Sequence, residues 1–128
     1  MKHFFTFLSL LIIFYSSQSK AEWIKYTSSQ RSDIYISDDN SKWEGSIFKM
    51  WILHDFHKTI GKSKSGMNYK SFDCSNNMVK TTTSISYSKK MGGGDVTYKK
   101  TNMDVWSDIV PGTLNDIIFK TVCKRYLK

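Results

Sequence analysis

The chain is poor in the residues and patterns on which most catalytic sites are built. Of its 128 residues one is proline, two are cysteine and three are histidine. No Gly-x-Ser-x-Gly elbow is present, which removes the usual nucleophile turn of the α/β-hydrolases. The run Met91-Gly92-Gly93-Gly94-Asp95 has glycines but does not lead from a strand into a helix, so it reads as a flexible hairpin tip rather than a phosphate cradle. Beyond residue 21 the only glutamates are Glu22 and Glu44, neither in a motif, and the pair Asp38-Asp39 falls in a turn. That turn lacks the spaced ligands and the glycine of a calcium loop. With no nucleophile, carboxylate-pair or metal motif, the chain reads as not an enzyme and as carrying no cofactor. It also lacks internal repeats and low-complexity tracts.

One long apolar run exists, over residues 4–14, and it is too short to span a bilayer. Lys2 and His3 precede it, and Ser19-Lys20-Ala21 puts small residues at the −3 and −1 positions. Residues 1–21 therefore read as a signal peptide and residues 22–128 as one domain with no transmembrane segment. No cysteine stands at the cleavage site, so a bacterial lipid anchor is not expected there. The expected location is the periplasm, the cell surface or the medium.

The formal charge is +8, and loss of Lys2 and Lys20 with the signal leaves about +6. A basic exported domain meets anionic surfaces: lipopolysaccharide, anionic glycans or acidic protein patches; nucleic acid is not expected as a partner. The same charge also serves solubility alone. Two cysteines in an exported chain imply one disulfide, Cys74 to Cys123. Closing that 49-residue separation is worth about 4 kcal/mol. Free or metal-binding thiols are the alternative, without supporting His or Cys spacing.

Short strands are expected over residues 23–27 and 33–37. Residues 46–56 form the most apolar stretch, with both parities apolar, as in a central strand covered on both faces. Residues 58–66 read as a mobile basic loop, and residues 68–74 as extended. Val79, Thr81, Thr83, Ile85 and Tyr87 alternate with polar residues, the pattern of a half-buried antiparallel strand. It returns over residues 96–100 as a hairpin, and residues 101–110 are irregular. Pro111-Gly112 then breaks the chain before a helix with Thr113 as N-cap and Asp116 in its first turn. Leu114, Ile117, Ile118, Thr121 and Val122 give that helix a stripe to bury, widened by Phe119, Cys123 and Tyr126. The expected fold is α+β: an antiparallel β-sheet of about six strands, with a C-terminal α-helix packed on one face and held by one disulfide.

The order of these landmarks resembles the surface-adhesin protein E family. The residues that carry the resemblance are Met50-Trp51-Ile52-Leu53-His54-Asp55, Tyr69-Lys70-Ser71-Phe72-Asp73-Cys74, and the hairpin from Tyr87 to Gly94. Trp106, Val110-Pro111-Gly112-Thr113 and Cys123 follow. The resemblance implies the same six-stranded sheet, terminal helix and disulfide. It also implies an adhesin that binds host extracellular-matrix or serum proteins and forms a homodimer. The chain departs from the family's named member in having no lipid-attachment cysteine.

Two clusters are candidate sites. Lys89, Lys90, Lys99 and Lys100 flank the hairpin with Tyr87 and Tyr98, and with Lys58, Lys62 and Lys64 would form one basic surface for a protein or anionic partner. Lysines in that position also blunt an open strand edge. His54 and His57, three apart on a strand, point to opposite faces and do not suit joint metal ligation. The competing functions are a periplasmic ligand- or haem-binding protein, and a small secreted effector or hydrolase.

Overall fold

The structure, a computed structural model, describes residues 22–37 and 39–126. The expected signal peptide lies outside them. Eight strands form one antiparallel sheet: β1 Ile24–Ser28, β2 Ser32–Ile36, β3 Lys42–Glu44, β4 Ile47–Ile60, β5 Ser63–Asp73, β6 Met78–Tyr87, β7 Val96–Lys100 and β8 Ser107–Asp108. The main order is β1-β2-β4-β5-β6-β7; β3 pairs with β4 beside β2, and β8 with β6 beside β7. The short strands β3 and β8 account for the excess over the expected six. Among the described residues one α-helix, α1 Leu114–Val122, completes the fold.

The basic segment 58–66 is not a loop. β4 runs to Ile60, and β5 begins at Ser63, opposite it. The two-residue link opens on Gly61 at φ 60°, the left-handed geometry that a tight hairpin needs at this position and that glycine adopts without a Cβ penalty. Lys58 and Lys64 thus lie on strands, with Lys62 in the turn.

The strand that alternates most cleanly in sequence serves both faces. In β6 the pairing steps from Tyr69↔Thr83 to Lys70↔Thr81, leaving Thr82 as a bulge. Val79 and Thr81 therefore lie on the helix side with Phe72 and Lys70. Ile85 and Tyr87 lie on the far side with Met67 and Ser65. β4 behaves as its two-sided apolarity predicts: Met50 and Ile52 join the core under the helix, and Leu53, on the opposite face, is fully buried.

α1 is capped as expected. Thr113 Oγ1 accepts from the Asp116 amide at 3.3 Å, and the Asp116 carboxylate accepts from the Gly112 amide at 2.9 Å. The Gly112 amide and the nearby Lys120 ammonium, at 3.1 Å, hold the Asp116 carboxyl below its ordinary range. The buried stripe is rotated by about one position from the one read in sequence. Ile118, Phe119 and Cys123 are buried, whereas Ile117 is 47% exposed. Thr121 is exposed and bonds Tyr26 of β1 through their hydroxyls at 2.5 Å. The core joins Ile34, Met50, Ile52, Phe72 and Val79 of the sheet to Ile118 and Phe119 of the helix. The Cys74–Cys123 disulfide, Cα atoms 5.5 Å apart, fastens the helix end to the end of β5. Beyond it, the 3₁₀ turn Lys124–Tyr126 settles on the β3–β4 corner, where Arg125 lies 4.2 Å from the Trp43 ring centre and Tyr126 Oη donates to Gly45 O.

Candidate functional site

The β6–β7 hairpin is shaped by what happens at its tip. The glycine-rich residues expected to be a flexible tip fold back on the far face of the sheet. Ser65 Oγ donates to Lys89 O at 2.6 Å and accepts from the Gly92 amide at 2.8 Å. Asp55 accepts from the Met91 amide at 2.9 Å. Gly92 sits at φ 74°, a backbone geometry that favours glycine, and a Cβ there would have to displace the movable Met67 methyl, 2.3 Å away. The closed-down tip covers Leu53 and Met67.

This fold-back sorts the hairpin lysines. Lys90 is tied back to β4 while half of its side chain stays exposed: its ammonium donates to Phe56 O and lies 3.8 Å from the Asp55 carboxylate. Lys89 stays exposed. On β7, Lys99 pairs with Ile85 and Lys100 with Ser84, so the two project from opposite faces. Tyr98 pairs with Ser86, and Tyr87 with Val96 across a bulge. The two tyrosines therefore lie on opposite faces rather than across from each other. The structure brings together the outer edge of β7, with Tyr98 and Val96 each 54% exposed. All five β7 residues are exposed, and the strand ends the sheet. Its edge near the turn meets β5, where the Ser63 and Thr97 hydroxyls lie 2.6 Å apart.

The histidines go separate ways. His57 Nε2 lies 3.0 Å from Asp33, and its Nδ1 3.2 Å from Gln30 O. The His57 partner and the Ser28 hydroxyl hold the Asp33 carboxyl down to about 2, and the same Asp33 contact raises the His57 pKa. His54 faces the helix side, paired with Ile34, and its Nε2 is buried without a hydrogen-bond partner. Burial, and to a lesser degree the Lys70 charge, push its pKa down to about 4. Among the described residues no cluster of three or more His, Cys, Asp or Glu side chains is placed to hold a metal ion. No helix among them is long and apolar enough to cross a membrane.

Two features escaped the sequence reading. On the far face the Trp51 and Tyr69 rings meet at a tilt, centres 5.0 Å apart, and Lys80 lies 4.7 Å from the Trp106 ring centre and 3.0 Å from Asp104. On the helix side, Lys70 reaches Asn115 Oδ1 at 2.7 Å, and burial lowers its pKa below the usual lysine range. The only available signal for Lys70 was its parity with Phe72 and Cys74, which places it on the covered face.

The fold matches solved structures of protein E from Haemophilus influenzae. The crystal structure from a non-typeable strain aligns with TM-score 0.66 at 15% identity, over 86% of this chain and 80% of that one. Crystal form II of the same organism's protein aligns with TM-score 0.66 at 16% identity, over 85% and 92%. At such identities the likeness is one of fold. No match is found among curated proteins. The family model described as surface-adhesin protein E matches residues 23–124, and the chain accordingly belongs to that family of non-enzymatic, surface or secreted binding proteins.

Proposed function

We propose that this protein is an exported adhesin, processed after Ala21, that binds host extracellular-matrix or serum proteins along the outer edge of its basic hairpin. The observation that carries this reading is β7 itself, a terminal strand exposed over its whole length that carries Lys99, Tyr98 and Lys100. Unpaired backbone groups on such an edge can add a strand from a partner, while the lysines, with Lys89 nearby, steer acidic surfaces toward it. Anionic glycans or lipopolysaccharide would be drawn by the same charge, and a second copy pairing at this edge would give a homodimer. Lys90, tied to Phe56 O and beside Asp55, and the half-buried Tyr87 brace the hairpin more than they present it to a partner.

The test is in two parts. Protease added to intact producing cells should degrade the protein if it reaches the surface. Binding of the purified protein to immobilised matrix proteins should fall with rising salt, and should weaken in the double variant Lys99→Glu, Lys100→Glu. Unchanged affinity and unchanged salt dependence in that variant would remove the hairpin from the function.

A further inference from the structure

A second site lies on the far face of the sheet, where β1 begins and β2 ends. A notch of about 180 Å³ is lined there by Trp23, Ser37, Asp39, Asn40, Trp51 and Met67. The sheet register puts these groups on one side. Trp51 pairs with Tyr69, and Met67 with Leu53, both far-face pairs. Ile24 pairs with Ile36, which packs against the core under the helix. Trp23 precedes that pair and Ser37 follows it, so strand alternation turns both to the far side. Asp39 and Asn40, between β2 and β3, close the rim.

The wall has two kinds of surface. Trp23, Trp51 and Met67 make one part apolar, and both indoles are half-buried rather than covered. Ser37, Asp39 and Asn40 supply the polar remainder. Ser37 Oγ accepts from the Asp39 amide at 3.1 Å, and Asp39 Oδ2 accepts from the Glu22 amide at 3.2 Å. Asp39 Oδ1 and the Asn40 side-chain amide have no hydrogen-bond partner among the described residues. A free acceptor, and an amide that both donates and accepts, therefore stand beside two indoles.

That combination narrows the occupant. The volume is below that of drug-sized pockets and admits a single ring. No lysine or arginine lines the notch, so an anion would meet only the Asp39 carboxylate, which opposes it. A cation finds that carboxylate already engaged; in a chain processed after Ala21 the Glu22 nitrogen is itself a cationic α-amino group. A purely apolar group would bury the polar rim without partners. A neutral sugar ring uses both surfaces: its C–H groups lie against indole, and its hydroxyls donate to Asp39 and exchange hydrogen bonds with Asn40.

We infer that this notch binds a neutral hexopyranose, free or as the terminal residue of a glycan, with Trp23 and Trp51 as its apolar wall and Asp39 and Asn40 as its hydroxyl partners. The notch is on the β1 side of the sheet and β7 ends the other side, so this reading does not depend on the hairpin.

The experiment is a two-dimensional NMR titration of the labelled protein, purified from producing cells, with D-glucose, D-galactose and D-mannose, and with D-glucuronate and choline as charged controls. At least one hexose is expected to shift the indole N–H signals of Trp23 and Trp51 and the amides of residues 37, 39, 40 and 67, and to bind about ten-fold more tightly than either control. Asp39→Ala, at an exposed position, should weaken that hexose about ten-fold with the melting temperature unchanged. Trp51→Leu, which keeps an apolar residue on the strand, should weaken it by a similar factor, with the fold read from the rest of the spectrum. A disaccharide ending in the bound hexose that binds at least as tightly identifies a glycan end as the source; loss of binding in the disaccharide identifies the free sugar. No shift at the notch with any of the three hexoses, equal binding of glucuronate or choline, or full affinity in folded Asp39→Ala would each overturn the inference.

Discussion

His54 should make this protein acid-sensitive in a window that its carboxylates do not reach. The imidazole is on the helix side of β4, with a buried Nε2 that has no partner. Its pKa falls from 6.5 to about 4, first through burial and then through the Lys70 charge. A folded pKa below the unfolded one means that the unfolded chain binds the proton more readily between these values. The contribution of neutral His54 is therefore present in full above about pH 6.5 and is lost as the pH falls toward 4. A shift of that size corresponds to about 3 kcal/mol at 1.36 kcal/mol per pH unit, a large part of a small domain's stability. His57 works in the opposite sense: its raised pKa adds stability at low pH that is lost as the pH rises through the raised value, so it cannot cause loss on acidification. Asp33, Glu44 and Asp116 have depressed values, and their contributions disappear at still lower pH. Urea unfolding of the wild type and of His54→Leu at several pH values from 7.5 to 4 separates these effects. The wild type should lose about 3 kcal/mol more than the variant over that range. Parallel curves for the two proteins, or an NMR titration of His54 near 6.5, would refute the reasoning.

Replacing both Cys74 and Cys123 by serine should lower stability by about 4 kcal/mol, read by urea melts of variant and oxidised wild type; identical midpoints would count against it. Thr113→Ala removes the cap on the Asp116 amide and should cost about 1 kcal/mol, with faster amide exchange confined to the start of α1. Gly92→Ala forces an L-residue to φ 74° against the Met67 methyl; it should cost about 1–3 kcal/mol and raise proteolytic cleavage within residues 88–95. Resistance equal to wild type would mean that the tip adapts freely.

The parts of this fold that were legible in the sequence are those governed by local chemistry. Thr113 and Asp116 mark the start of α1 because a helix leaves amides that only nearby oxygens can satisfy. The doubly apolar stretch around Met50 and Leu53 marks a central strand, and an even cysteine count marks the bridge. What was missed depends on distant partners. Thr82 has no compositional mark of a bulge; its extra place follows from fitting β6 against both β5 and the helix. The lysines of residues 58–66 suggest a loop, yet a two-residue link leaves Lys58 and Lys64 on strands and only Lys62 in the turn. Gly92 and its neighbours look loose because the groups that hold them, Asp55 and Ser65, are 27 or more residues earlier. The same distance hid the division of the hairpin: nothing local says that Lys90 is tied to Phe56 O, or that Tyr87 and Tyr98 take different faces. Lys70 met Asn115 across 45 residues.

The strand order also has a consequence for the chain as it is made. Each long strand pairs with the one just before it, so the sheet can assemble by zipping in step with synthesis, with little loop-closure entropy at each stage. The helix that covers its apolar side emerges only after every strand. Until then Ile34, Met50, Ile52 and Phe72 have no lid, and Cys74 has no partner. A chain shortened by its final residues would therefore present a nearly finished sheet with a bare greasy side and a lone thiol, a form suited to aggregation and to mixed disulfides.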